Sequence, residues 1–495
     1  MVHTLRSPNR REHEGCLVMS TEKSLPAIRK LAYGAGELGP AMAGSTMIFF
    51  QMIFLTSVAG LEAGLAGSVL LVGKIWDAVN DPVIGWLSDH TKSRFGRRIP
   101  WMVLSSVPFA LFFFLNWWVP DFVGGGSQWA LFTYYSVVAL FYNTFYTGMA
   151  LPHSSLTPEL SHNYDERSRI TGFRMAFSLG GSVGGLVVAL VVFEFMKAAP
   201  DNLKYAAMAL SVAIIGLLSM AVCVAGIGKI AIQKEKDRLE VEVPQPKLPI
   251  REQFRIVFAN RPFLIVCGIY LFSWLAMQFT ATILPYYVGS WLGLPASQFP
   301  IIALTVQVTA LGLIPFWGWV SVRLGKKPVY FYGMIFWLMA QGGLLFLQPG
   351  AGAWIYVLAV FAGVGISVCY LIPNAMLPDV IELDELNTGE RREGVFYGFF
   401  VFLQKIALAL GTFLVGQALS FAGYISSVSG EAIPEQPESA LTAIRIAIGP
   451  MPAISLLLGI ALAAIYPINK KRHEEILSEL ETKRNVVSTI TRPQA

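Results

Sequence analysis

The sequence of 495 residues contains little charge, because Asp, Glu, Lys and Arg make up 14% of it and hydrophobic residues make up 54%. A water-soluble chain carries about a quarter charged residues, so a soluble domain of this composition would expose apolar surface to water. Hydrophobic runs of about 20 residues recur along the chain, and each is long enough to cross about 30 Å of hydrocarbon. The composition excludes a soluble enzyme and predicts a multi-pass membrane protein.

Cysteine and targeting signals are also scarce. The four cysteines lie far apart, at Cys16, Cys223, Cys267 and Cys369. No two of them have the spacing of a redox motif or a zinc site, so we interpret them as small core residues. The first 30 residues are polar and basic and contain no apolar segment typical of a cleavable signal peptide. Met19 provides a second plausible translation start.

Twelve apolar segments predict an all-α membrane protein with twelve transmembrane helices in two groups of six. The first six are expected near residues 31–56, 64–88, 101–119, 128–150, 170–195 and 205–232. The second six are expected near residues 263–288, 300–322, 329–348, 352–374, 394–419 and 441–467. The predicted domains are an N-terminal tail, an N-terminal half, a central loop, a C-terminal half and a C-terminal tail, at 1–30, 31–232, 233–262, 263–467 and 468–495.

Lys and Arg are concentrated in alternate loops of this topology. Arg97 follows the second span, Lys326 follows the eighth, and the central loop contains further basic residues. The loops on the opposite side contain Lys197 and Lys204 and almost no other basic residue. By the positive-inside rule, both termini are predicted to lie in the cytoplasm.

The two groups of six share a faint internal repeat. A Gly-Trp-X-Ser segment begins at Gly85 at the end of the second span and at Gly318 at the end of the eighth. Glu159 follows a proline after the fourth span, and Asp379 follows a proline after the tenth. Such repeats are typical of transporters whose substrate site lies between two halves near the middle of the bilayer.

Two carboxylates lie within the second predicted span. Asp77 and Asp81 are four residues apart and therefore share one face of a helix, in a region where charge is costly and indicates function. Because they repel each other, we expect them to bind a cation, with the Asn80 carbonyl nearby, or to share a proton. The alternative is an ion pair with Lys74 that only orients helices. Lys405, in the eleventh span, is the predicted partner of the aspartates.

Other charged residues lie nearer the predicted cytoplasmic ends. Arg174, in the fifth span, is interpreted as a partner of an aspartate or substrate, or as a cytoplasmic anchor. Glu37, in the first span, is ambiguous in the same way. The turn after the second span is predicted to form a conformational latch between helix ends when the cavity opens outward, made of Asp89, Arg94, Arg97 and Arg98.

The second span closely resembles the signature of a known family. Residues 74–86 and 94–101 are similar to the matching segments of the glycoside–pentoside–hexuronide:cation symporters, within the major facilitator superfamily. Residues 33–36 and 376–381 also fit. The resemblance covers about residues 30 to 470 and implies two pseudo-symmetric halves of six helices that work by alternating access.

The resemblance also implies a coupling-ion site. Carried over residue by residue, it falls on Asp77, Asn80, Asp81 and Thr147, with Lys405 as the partnering lysine. Sodium is therefore the expected coupling ion, with a proton as the alternative, and no other cofactor is expected.

The expected substrate is less well defined by the resemblance. The two sugar-binding aspartates of the family correspond here to Ala41 and Ala150, whose side chains accept no hydrogen bond, whereas Arg174 matches the family's arginine. With Tyr33, these are the candidate substrate contacts. The chain also resembles sodium-dependent lysophospholipid symporters, which likewise lack those aspartates. A sugar or glycoside is the first expectation, and a lysophospholipid or another amphiphile is the second.

Other functional classes have less support. A non-transporting sensor or a lipid scramblase on the same fold is the alternative, and the intact cation-site residues argue against the sensor. An enzyme is not expected, because the sequence contains no nucleophile–base pair, phosphate loop or metal cluster. We expect a small-molecule substrate, contacts with membrane lipid, no nucleic-acid partner and function as a monomer. Short loops favour the inner membrane of a bacterium.

Overall fold

The computed structural model describes residues 24–119, 127–161, 163–239, 250–295, 297–350, 353–389, 392–429 and 434–491, and these are almost wholly helical. The first helices are α1 (Ala27–Ala35), α2 (Leu38–Ser57), α3 (Ala63–His90), α4 (Ile99–Leu115), α5 (Gln128–Ser155), α6 (Thr157–Leu160), α7 (Tyr164–Phe195) and α8 (Asp201–Leu239). They are followed by α9 (Ile250–Ala259), α10 (Arg261–Tyr286), a π-helical turn (Tyr287–Trp291), α11 (Gln298–Leu324), α12 (Lys326–Phe346), α13 (Trp354–Thr388), α14 (Glu393–Phe421), α15 (Glu438–Ile448), α16 (Pro450–Ile465) and α17 (Lys470–Thr491).

The helices lie where the spans are predicted. Within the described residues, nine helical segments are long and apolar enough to cross a membrane, with α1–α2 and α15–α16 each counting as one. Of the other three predicted spans, α4 is shorter, at 17 residues, whereas α3 and α5 are 28 residues long but more polar. The protein is therefore an all-α, multi-pass membrane protein, and its helices are consistent with twelve spans.

The first predicted span is interrupted between α1 and α2. Pro40 has no N–H and cannot donate to the carbonyl of Gly36, so the regular hydrogen-bond pattern stops there. The chain resumes helical bonding when the Ala41 amide donates to the Glu37 carbonyl at 3.1 Å. This break places Glu37 at a bend in the span.

Helices pack mainly within each predicted group. In the first group, α3 and α4 pack against α5, and α2 packs against α7. In the second, α10 packs against α14 and α16, and α13 packs against α11 and α12. The groups meet where α3 contacts α14, α2 contacts α10 and α7 contacts α11. The exact limits of the two halves, 31–232 and 263–467, stay a prediction.

One end of the bundle joins the two groups, and we call it the closed end; it contains the α2–α3 connection and the segment after α14. The Thr56 and Tyr286 hydroxyl oxygens lie 2.6 Å apart. Ala59 forms an antiparallel β-bridge with Val428. These contacts connect helices that are far apart in the sequence.

The opposite end, which we call the basic end, contains the turns at 91–98 and 325–327. Toward the closed end, a Cβ atom on Gly416 of α14 would lie 2.7 Å from the Ala63 carbonyl oxygen, so only glycine fits this close approach to α3. Nearer the basic end, a Cβ atom on Gly398 would meet open space. The α3–α14 pair is therefore tight at the closed end and spread apart toward the basic end.

Candidate functional site

Two aspartates and a lysine from opposite groups of helices meet halfway along α3 and α14. Lys405 Nζ lies 2.9 Å from Asp77 Oδ2 and 2.5 Å from Asp81 Oδ2. The Asp77 side chain is 3% exposed, whereas that of Asp81 is 33% exposed. One ammonium therefore holds together two carboxylates that would otherwise repel each other, and Asp81 is the one that solvent reaches.

The alternative partner of the aspartates is more distant. Lys74 Nζ lies 4.0 Å from Asp77 Oδ2, and the Lys74 side chain is 38% exposed. An ion pair of this length at an exposed lysine contributes little. Lys405 is therefore the principal cation next to Asp77.

The two other predicted members of the cation site differ in placement. The Thr147 hydroxyl, on α5, lies 3.0 Å from Asp81 Oδ1 and 3.3 Å from Asp77 Oδ1, so it contacts both carboxylates. Asn80 is buried, and its Nδ2 donates to the Asn143 carbonyl at 3.5 Å rather than to either aspartate. Thr147 thus completes the cluster, while Asn80 links α3 to α5.

The donor atoms of this cluster suit a hard cation. Asp77, Asp81 and Thr147 offer carboxylate and hydroxyl oxygens, which hard metal cations prefer to nitrogen or sulfur. The Lys405 ammonium lies against the same carboxylates, so a bound cation and Lys405 would compete for the same negative charge. The arrangement has the chemistry of a site in which one cation exchanges for another.

A cavity of about 320 Å³ adjoins the cluster between the two groups of helices. Asp77 and Lys405 form part of its wall. Its other polar side chains are the Lys74 ammonium, three hydroxyls and five amides, namely Tyr142, Tyr146 and Thr412 for the hydroxyls and Gln51, Asn116, Asn143, Gln278 and Gln404 for the amides. Within the described part of the chain, Gln278 Oε1 is buried without a hydrogen-bond partner. The cavity therefore offers neutral polar groups to a ligand, next to the charged cluster.

The predicted substrate contacts lie outside the described lining of this cavity. Tyr33 is 1% exposed, and its hydroxyl contacts the carbonyl oxygen of His153 and the Thr157 hydroxyl, so it joins α1 to α5 and α6. Arg174 donates to the Ser154 carbonyl at 3.4 Å. Ala41 and Ala150 are half-buried. Among the described residues, no hydrogen bond or ion pair joins any of these four to the Asp77–Lys405 cluster.

Two of the predicted latch residues, Asp89 and Arg98, pair with each other, and Arg97 pairs with Glu159, an acidic residue outside the predicted latch. Arg98 lies 2.5 Å from Asp89, and Arg97 lies 2.5 Å from Glu159 in α6. The Arg94 guanidinium lies 4.7 Å from the centre of the Phe95 ring. Asp89, Arg98 and Glu159 thus connect α3, α4 and α6, all in the first group.

The internal repeat contained a signal for Glu159. In the second group, Lys326 Nζ lies 2.5 Å from Asp379, which is the counterpart of the Arg97–Glu159 pair. In both groups, a basic residue from one turn pairs with an acidic residue that follows a proline two spans later. Reading the two repeated segments as partners would therefore have predicted both ion pairs.

Comparison with known proteins defines the family. The family model for the MFS/sugar transport protein matches residues 32–470. The chain belongs to this family. An uncharacterized symporter of Synechocystis sp. is 43% identical over 94% of this chain and 98% of its own length. The sodium-dependent lysophosphatidylcholine symporter 1-A of Danio rerio is 28% identical over 92% of this chain and 88% of its own length.

Solved structures share the fold of this family member. The nucleoside transporter NupG has a TM-score of 0.62 at 14% identity, over 90% of this chain and 100% of its own. A bacterial homologue of the iron transporter ferroportin, in an inward-facing state, has a TM-score of 0.60 at 15% identity, over 89% of this chain and 100% of its own. The family and these neighbours are membrane transporters rather than enzymes, which confirms the expected class and a small-molecule substrate.

Proposed function

We propose that the protein is a symporter that couples the inward movement of sodium to that of an organic solute. The observation that carries this proposal is the Lys405 ammonium between Asp77 and Asp81, with the Thr147 hydroxyl on the same carboxylates. In the absence of sodium, Lys405 bridges the two carboxylates across the two groups of helices and compensates one of their two negative charges. Sodium at Asp77 and Asp81 takes over that role and frees Lys405, whose cavity-facing ammonium then becomes available to the solute.

The orientation of the bundle in the membrane follows from the proposed topology. The basic turns at 91–98 and 325–327 lie at one end of the bundle, which the positive-inside rule places in the cytoplasm together with both termini. The closed end then faces the outside, and the structure corresponds to an inward-open carrier. Rocking of the two halves, 31–232 and 263–467, about the Asp77–Lys405 level would open the opposite side. We propose the inner membrane of a bacterium as the location and a monomer in lipid as the working unit.

A sugar or glycoside is the first proposed cargo. The cavity beside the cluster is lined by amide side chains, which donate and accept hydrogen bonds and therefore suit hydroxyl groups. These neutral groups would replace the carboxylates that are missing at Ala41 and Ala150.

A lysophospholipid is the second proposed cargo. It is supported by the names of several relatives, among them the sodium-dependent lysophosphatidylcholine symporters of Danio rerio and Gallus gallus, at 28% and 27% identity. Each matches more than nine-tenths of this chain. Uptake by proteoliposomes of a panel of sugars, glycosides and lysophospholipids, driven by a sodium gradient, distinguishes the two cargoes.

The sodium site can be tested without knowing the cargo. We expect Asp77→Asn to lower the affinity of the purified protein for radioactive sodium by at least about tenfold, because a buried carboxylate ligand becomes neutral. Asp201→Asn is the matched control, because Asp201 is 52% exposed at the start of α8 and pairs only with a neighbour on its own helix, Lys204. Unchanged sodium affinity in Asp77→Asn would refute the proposed site.

A further inference from the structure

A histidine and a glutamate form a second pair of titratable groups, away from the Asp77–Lys405 cluster. Glu37 lies at the break between α1 and α2, and His153 lies in the last turn of α5. Their side chains are 23% and 1% exposed. His153 Nδ1 lies 3.4 Å from Glu37 Oε2, and its Nε2 lies 2.9 Å from the Tyr33 carbonyl oxygen. Both ring nitrogens therefore face an oxygen atom.

This geometry requires one proton more than a neutral histidine can supply. A carbonyl oxygen only accepts hydrogen bonds, so the N–H of His153 belongs on Nε2. In a neutral imidazole, Nδ1 then directs a lone pair at the Glu37 carboxylate. A single additional proton, on Nδ1 or on Glu37, replaces this repulsion by attraction. The pair has a place for one exchangeable proton.

Groups from the neighbouring helices face the pair as well. Tyr33, on α1, donates its hydroxyl to the His153 carbonyl at 2.9 Å, and the Cys223 thiol of α8 lies beside the ring. Arg174, on α7, interacts electrostatically with Glu37. When the proton leaves, the Glu37 carboxylate therefore still has a cation nearby. The proton itself passes to the water that reaches the exposed part of Glu37.

The bend in the first span depends on this packing. A Cβ atom on Gly36 would lie 2.7 Å from His153 Nε2 and 2.8 Å from Cys223 Sγ, so the backbone of the bend lies directly against the ring. A change in the charge of His153 or Glu37 therefore acts on the position of the bend.

The pair is also close to the cation cluster. His153 is six residues after Thr147 on α5, which is about 9 Å along a helix. Tyr146, in the cavity wall, is near enough to interact electrostatically with Glu37, Asp77 and Asp81. The two sites are therefore close neighbours along α5.

We propose that Glu37 and His153 form a proton-binding site, separate from the proposed sodium site, that sets the pH dependence of transport. With the proton bound, the pair holds the bend between α1 and α2 against α5. Without it, the carboxylate and the ring repel each other, and Glu37 turns toward Arg174. The existence of the proton site does not depend on the proposed function. The effect of the proton site on transport does rest on the proposed function.

The proton site can be tested by titrating the histidines directly. Full-length protein labelled with nitrogen-15 histidine is studied in liposomes by solid-state NMR, and the signal absent from His153→Gln is assigned to His153. We expect the titration midpoint of this signal to fall by at least about one pH unit in Glu37→Gln, because the carboxylate that favours the charged ring is gone. Glu194→Gln removes an exposed carboxylate from α7 and should leave the midpoint unchanged.

A second variant, Glu37→Asp, provides the same test if Glu37→Gln does not fold. Glu37→Asp keeps the charge but withdraws it by one methylene group, so a smaller fall of the same midpoint is expected. An unchanged His153 midpoint in Glu37→Gln or in Glu37→Asp would overturn the proton site.

The link between the proton site and transport is tested by measuring the initial rate of cargo uptake at a fixed sodium gradient, at pH values from about 5 to about 9. We expect the wild-type rate to change with pH and the Glu37→Gln rate to stay constant. A constant wild-type rate would overturn the link to transport. Absence of any sodium-driven uptake would count against the proposed function and leave the NMR result valid.

Discussion

At the scale of single residues, the Thr147 hydroxyl is the most selective test of the cation site. Thr147 contacts both carboxylates, so its hydroxyl oxygen lies where it can serve as a further oxygen ligand to a cation held by them. We expect Thr147→Ala to weaken sodium binding by at least about tenfold, measured as the concentration that gives half-maximal sodium binding. Thr147→Ser keeps the hydroxyl and should stay within a few-fold of wild type. Equal loss in both variants would mean that packing, rather than the hydroxyl, matters.

The sequence predicts the parts of the site that depend on local spacing better than the parts that depend on contacts between distant residues. The four-residue interval between Asp77 and Asp81 is local and indicates a shared helix face by itself. The Lys405 contact was expected because a charge in an apolar span needs a partner and because the family resemblance implies this lysine. The proton pair of Glu37 and His153 was not predicted, because it depends on a bend at Gly36 that brings α1 against the far end of α5. No pattern within either segment contains that information.

At the scale of helices, the α3–α14 contact offers a prediction about the closed end. Gly416 lies so close to α3 that an added methyl group must displace the backbone near Ala63. We expect Gly416→Ala to separate the closed end and to reduce disulfide formation between cysteines placed at Ala59 and Val428 by at least about threefold. The three described native cysteines are buried, which limits competing reactions.

The matched control lies on the same helix. Gly398→Ala adds the same methyl group to α14 at a position with open space around it, so it should leave the cross-link yield unchanged. Equal yields in all three proteins would show that the close approach at Gly416 does not hold the closed end together.

At the scale of the whole molecule, hydropathy was sufficient for the class and the approximate position of the helices. Hydropathy identified α3 and α5 less clearly, because their polar residues bring their mean hydropathy below that of an ordinary membrane span. Those residues include Asp77, Asp81 and Thr147, so two of the three helices that build the candidate site depart from the simple hydropathy pattern, whereas α14, which carries Lys405, does not. The tilt that closes one end and opens the other depends on contacts between the two groups, which hydropathy does not describe.

The charge of the proposed site leads to a prediction about the complete transport cycle. Asp77, Asp81 and Lys405 carry a net charge of minus one, and sodium makes the loaded site neutral, so one positive charge enters the cell per cycle with a neutral cargo. A membrane potential of about 100 mV, negative inside, contributes about 2.3 kcal/mol per charge, which corresponds to about fifty-fold accumulation. We expect a potassium diffusion potential of this size in proteoliposomes to raise the steady-state cargo level by roughly that factor at equal sodium concentrations. Asp77→Asn should remove the response, whereas a wild-type level that ignores the potential would show that transport moves no net charge.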